Sequence, residues 1–157
     1  MSGKFQFTAV QSAGEAQLEF AGVIDEDVDF TQIKLPECKV YTFNFDGVKG
    51  INSCGIREWV HFSESLPAAA KLVYQNCTQI IIEQINMVAG FFRAGSVVQN
   101  FYAPYFCETC DQEQKILITA ATVEGLAAPA VNCKTCNSAM EFDAIEEQYF
   151  RFLKTSV

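Results

Sequence analysis

Two pairs of cysteines at matched spacing, Cys107-x-x-Cys110 and Cys133-x-x-Cys136, constrain this chain more than any other feature. Two residues between ligands let both sulfurs of a tight turn reach one metal, with backbone N–H groups directed at the thiolates. Two such turns supply four thiolates, which fill a tetrahedral ion and leave no open position for water or substrate. The pattern predicts a structural centre, with zinc expected and iron the alternative in an all-sulfur tetrahedron. The segment 107–142 has few large apolar residues of its own, so a metal would take the place of a core. Its loop "EGLAAPAVN" absorbs the separation between the pairs. Cys38, Cys54 and Cys77 are isolated, and an odd total of seven argues against a disulfide framework.

Around that segment, strands alternate with helices. "KFQFTAVQSAGEAQLEFAGVID" carries two alternating runs joined by a turn at Ser12-Ala13-Gly14-Glu15, a predicted hairpin. "DEDVDFTQI" predicts one helical turn, ended by Pro36. "KVYTFNFDGV" is a strand of β-branched and aromatic residues. "IREWVHFSESL" places Ile56, Val60, Ser63 and Leu66 on one helical face, and Pro67 stops it. "KLVYQNC" is a further strand, and Thr78 an N-cap for the helix "TQIIIEQINMV". After a loop between Gly90 and Gly95, "SVVQNFYAPYF" reads as one strand and "KILITA" as another. "DAIEEQYFRFLKTSV" reads as one final helix, with Asp143 and Glu146 as an acidic capping box and Ile145, Tyr149, Phe152 and Leu153 on its apolar face. The fold class expected is α/β, a mixed sheet covered by helices. Residues 1–106 and 143–157 form the main domain, and 107–142 a zinc-ribbon-like insertion before the last helix.

Composition excludes some partners. The chain has 157 residues, is half hydrophobic and carries a net charge of −8. Its Lys and Arg are scattered, so neither nucleic acid nor an anionic membrane surface is an expected partner. Four thiolates around one Zn²⁺ would make the chain more negative still. A protein partner with a basic surface fits this charge. No apolar run is long enough to span a membrane, and "MSGKFQFTAV" has no secretory pattern, so a cytoplasmic protein is expected.

Between the strand "KVYTFNF" and the helix that follows lies a polar knot, Asn52-Ser53-Cys54-Gly55. A helix N-terminus presents unpaired N–H groups and partial positive charge, so it suits a capping side chain, an anion or a partner's acceptor. Gly55 would let another backbone approach. Three readings follow: a plain cap by Asn52 or Ser53 with Cys54 a small buried residue, a docking surface, or a modification site. Cys54 and His61, the only histidine, are separated by about 10 Å of helix. They cannot share a proton, so no catalytic constellation is found and no enzymatic activity is expected.

The order of elements, "FAGVIDEDVDF" and "VKGINSCGIREWV" together resemble the STAS domain of anti-sigma-factor antagonists, over roughly 1–106 and 143–157. The resemblance implies a cytoplasmic bacterial signalling module. Its partner would be an anti-sigma factor or kinase-like protein, met at Asn52, Ser53, Cys54, Gly55 and Arg57. In that family a kinase phosphorylates the second serine of an Asp-Ser-Ser-Gly motif. Here Asn52 takes the aspartate position and Cys54 the acceptor position, leaving Ser53 the one hydroxyl in the knot. The alternatives are a scaffold subunit that binds through its ribbon and a thiol- or metal-responsive sensor.

Overall fold

The computed structural model describes residues 4–155. Eight strands and four helices occur among them: β1 (Gln6–Ser12), β2 (Glu15–Ile24), β3 (Val40–Ile51), α1 (Ser53–Ser65), β4 (Lys71–Gln75), α2 (Gln79–Met87), β5 (Val97–Val98), β6 (Asn100–Cys107), β7 (Gln112–Thr119), β8 (Glu141–Phe142), α3 (Glu146–Tyr149) and α4 (Phe152–Thr155). A 3-10 turn, Phe30–Gln32, sits where one helical turn was expected, capped by Asp29.

The first five strands form one mixed sheet in sequential order. β1 and β2 are antiparallel, and every later pairing in it is parallel. Parallel neighbours need a crossover. The β2–β3 connection carries the 3-10 turn, α1 joins β3 to β4, and α2 lies between β4 and β5.

Alternation decides which face is buried. Leu18 and Phe20 of β2, Tyr41, Phe43 and Phe45 of β3, and Leu72 and Tyr74 of β4 are buried, while Glu15, Gln17 and Glu19 are exposed. α1 lays Trp59 on that apolar face, with its ring centroid 5.0 Å from Phe43, 5.5 Å from Phe45 and 5.8 Å from Phe20. Trp59 is fully buried, so its N–H must be satisfied. It donates to the Phe91 carbonyl at 3.1 Å, and the Tyr74 hydroxyl donates to the same oxygen at 3.0 Å. The loop between Gly90 and Gly95 is thereby tied to the core.

Four expectations are corrected. "SVVQNFYAPYF" is two strands in two sheets. β5 ends at Val98, Gln99 gives its N–H to the Tyr74 carbonyl, and β6 then joins a second sheet of order β7-β6-β8. The final stretch is not one helix either. It breaks at Phe150–Arg151 into α3 and α4, and its last two residues lie outside those described. The break has a packing cause. Successive helical residues are 100° apart, so an unbroken helix would spread Tyr149, Phe150 and Phe152 over about 160° of its circumference. All three are buried around Phe101, at 6.3, 5.9 and 5.1 Å between ring centroids. Ile145, expected on the apolar face, is 61% exposed. The capping box is absent as well: Glu146 accepts from the Ala128 N–H at 2.7 Å, and Ile145 occupies the cap position.

Candidate metal centre and strand–helix junction

The second sheet carries the cysteines. β6 runs into β7 through a hairpin whose last pair is Cys107–Gln112, and the first knuckle, Cys107 to Cys110, occupies its turn. The second knuckle lies in the 123–140 connection, closed by a bridge between Asn132 and Ala139. β8 then pairs with β6 through Tyr105–Phe142. Asp111 and Asn137, the residues just after each second cysteine, have φ of 54° and 63°. Both knuckles therefore turn through the left-handed region, which Asp and Asn tolerate better than other non-glycine residues.

The four sulfurs lie within 4.8 Å of one another. Cys107 and Cys136 are 3.6 Å apart, and Cys110 and Cys133 3.9 Å. A tetrahedron with metal–sulfur bonds of about 2.3 Å has edges of about 3.8 Å. The spacing matches that and is far beyond a disulfide bond. The donor set is all sulfur, a set that suits zinc or iron. The cysteines grade from buried Cys107 and Cys133, through half-buried Cys110, to exposed Cys136.

Hydrogen bonds to sulfur are shared unevenly. Cys107 accepts the Cys110 N–H at 3.4 Å. Cys133 accepts the Thr135 N–H at 3.3 Å and the Gln114 side-chain amide at 3.5 Å. The N–H groups of Cys136 and Thr135 push the Cys133 thiol down to about 6. Ser138, by side chain and backbone, lowers Cys136. Across the centre the balance reverses. The sulfur of Cys136, then burial, pushes Cys110 up to about 12. Cys107 is also raised, because burial and the facing sulfurs outweigh the N–H of Cys110. A bound cation would hold all four as thiolates. Gln114 was not singled out from sequence. Only the β6–β7 register brings it to the second knuckle.

The strand–helix junction resolves residue by residue. Asn52 is the N-cap, extended at φ −112° and ψ −178°, and its side-chain oxygen accepts the Gly55 N–H at 2.9 Å. Its amide nitrogen donates to Glu26 at 2.9 Å. Gly55 does allow a close backbone approach, and the backbone is the chain's own. A Cβ there would lie 2.0 Å from the Ile24 carbonyl oxygen. The start of α1 is therefore pressed onto the end of β2, and the Asn52 N–H donates to the same carbonyl at 3.1 Å. Asn52, Ser53 and Arg57 are exposed, Cys54 is half-buried and Gly55 is buried. Beside the junction Asp25, Glu26 and Asp27 bring three carboxylates within 4.8 Å. The Asn52 amide is the main reason the Glu26 carboxyl sits below its ordinary value.

Two further sites qualify the expectations. Thr78 occupies the N-cap of α2, but its hydroxyl makes no capping bond and is buried without a partner. His61, exposed on α1, lines an open cleft of about 440 Å³ with Phe30, Ile33, Glu58 and Phe62. No helix among the described residues is long and apolar enough to cross a membrane.

No family model, no curated protein and no solved structure matches the chain.

Proposed function

We propose that this chain is a non-enzymatic, cytoplasmic regulatory module of bacterial signalling, related to the STAS domain, that binds a protein partner through residues 52–57. Its four-cysteine centre holds zinc as a structural staple. The observation that carries this reading is the junction itself. Asn52, Ser53 and Arg57 stand exposed on a helix start that Gly55 and Ile24 lock against the sheet. A contact surface held rigid before binding loses little freedom on association. The order of the first five strands, with an antiparallel strand ahead of parallel ones, supports the same reading.

A thiol is a poor acceptor for a serine kinase, and Cys54 is half-buried. Regulation by phosphorylation would therefore fall on exposed Ser53. The metal's role follows from its ligands: four thiolates complete a tetrahedron and leave no site for substrate.

The test is affinity capture from the native cell with wild type, Ser53→Asp and Arg57→Glu, alongside melting of each. A partner held by wild type and lost from both variants, at unchanged melting temperature, is the expected result. A partner held by both variants but lost from Lys134→Glu, on the second knuckle, would return the scaffold reading instead.

A further inference from the structure

β1 ends the five-stranded sheet, and among the described residues no strand pairs with its outer edge. Which backbone groups face outward follows from the turn. Ala13 and Gly14 both have positive φ, 52° and 80°, as in a two-residue type I′ hairpin turn. Such a turn makes Ser12–Glu15 a hydrogen-bonded pair, and pairing alternates from there. Gln6, Thr8, Val10 and Ser12 therefore direct their N–H and C=O groups to β2. Phe7, Ala9 and Gln11 direct theirs outward.

Natural sheets guard such an edge with lysine, proline, a bulge or a covering segment. The sequence of β1, QFTAVQS, has no lysine and no proline, and its register with β2 runs without a shift. Every residue but Phe7 is exposed, and Val10 is 66% exposed. The strand also has no charge, in a chain of net charge −8.

We propose that this edge is an interface with a second copy of the chain. Two β1 strands pair antiparallel about a two-fold axis at Ala9, and the two sheets become one. The register is self-complementary. Ala9 meets Ala9 of the second copy, and Phe7 meets Gln11 of the second copy, so each outward residue exchanges both backbone bonds. Thr8 falls opposite Val10 of the second copy in a non-hydrogen-bonded pair, where side chains are closest. That pair lies on the sheet's open face, because Thr8 and Val10 pair with exposed Glu19 and Gln17. Val10 is thereby covered by a β-branched neighbour. The neutral strand lets two chains of net charge −8 meet here with no acid set against acid. The contact is one strand wide, so the association is weak, with a dissociation constant roughly micromolar to millimolar.

Sedimentation equilibrium and amide hydrogen exchange of the metal-loaded chain, each over a wide concentration range, test this. Dimer should accumulate as concentration rises. The amides of Phe7, Ala9 and Gln11 should gain protection in step, while those of Gln6, Thr8 and Val10 stay protected throughout. Ala9→Pro deletes the central outward N–H and leaves the bonds to β2 intact, as edge prolines do. Ala9→Lys sets two cations opposite each other on the axis. Each should weaken self-association at least ten-fold at unchanged melting temperature, and the lysine variant suffices if the proline disturbs the strand. A monomer at all concentrations overturns the proposal. So does a dimer without the alternating protection, or one undiminished in both variants. A neutral peptide that protects the same three amides in a monomeric chain would assign the edge to a foreign strand and equally overturn it.

Discussion

Arg93 holds the end of α1 by donating to four carbonyl oxygens, and its bond to the Ser63 carbonyl, at 2.8 Å, is among the shortest. The other acceptors are Leu66, Pro67 and Ala70. The last carbonyls of a helix have no partner within it. Here one planar guanidinium serves them and the turn that follows, while Pro67 prevents the helix from continuing.

Arg93→Ala should therefore destabilise by about 2–4 kcal/mol, since half-buried carbonyls lose a charged donor together. Arg93→Lys should recover less than half of that, because an ammonium cannot reproduce the fork. Urea unfolding checks both. A loss below about 0.5 kcal/mol in Arg93→Ala would show that water replaces the guanidinium.

Arg93 also marks where sequence reasoning stops. It lies in the loop between Gly90 and Gly95, and nothing in its neighbourhood names Ser63 or Ala70 as partners. What the sequence does reveal is local. The Ala13-Gly14 turn, the aromatic alternation of β3, the Asn52 cap and the paired cysteines each follow from residues close together in the chain. Global packing decides the rest. Gln99-Asn100 is one polar pair in an otherwise apolar run, so the change of sheet between β5 and β6 leaves no periodic trace. The broken terminal helix is the same case. Its apolar pattern fits a helix until Phe101 and Phe142 require Phe150 to turn inward with Tyr149.

Gly55→Ala should be among the most damaging single-methyl changes in the chain. The added carbon would lie 2.0 Å from the Ile24 oxygen and 2.5 Å from its carbon, and both are backbone. Relief requires moving α1 off β2, so a loss of at least about 3 kcal/mol is expected. Chemical denaturation with Gly50→Ala as control measures it, because a Cβ at Gly50 meets only Val23 methyls at 3.9 Å.

Asn52→Ala should cost about 1 kcal/mol through loss of the cap. The same change should raise the Glu26 titration midpoint toward its ordinary 4.5, since the Asn52 amide is the largest influence holding it down. The sign is that of a depressed carboxyl. Its contribution is present above the ordinary value and is lost as pH falls through the lower folded value. Side-chain carboxyl NMR against pH follows both forms. An unmoved Glu26 would show that the Asn52 contact does not persist in solution.

Removing metal should act unequally on the two sheets. The centre ties β6, β7 and the 123–140 connection, whereas β2, β3 and β4 are held by Trp59, Phe43 and Tyr74. Protein purified without added metal should carry about one zinc or iron per chain. After chelation, amides of 107–142 should exchange faster by orders of magnitude, with β2–β4 still protected. Metal-free protein with four freely reactive thiols and unchanged exchange would remove the centre from the structure.

At the junction, Ser53→Asp and Cys54→Asp should separate surface from packing. Both place a carboxylate at the start of α1, where the helix dipole favours it by about 0.3–1 kcal/mol. Ser53 is exposed and leads the helix after Asn52, so its variant should melt at or slightly above wild type. Cys54 is half-buried, and a charge there loses part of its hydration without a partner. Cys54→Asp should lose about 1–2 kcal/mol, less than a fully buried site would. Partner affinity should fall in both, since a new carboxylate must give up its hydration inside the contact. The informative combination is Ser53→Asp: native stability with weakened partner binding assigns the junction to recognition. Native stability with undiminished binding would confine Asn52, Ser53 and Cys54 to starting a helix, and the face around the four cysteines would become the contact surface.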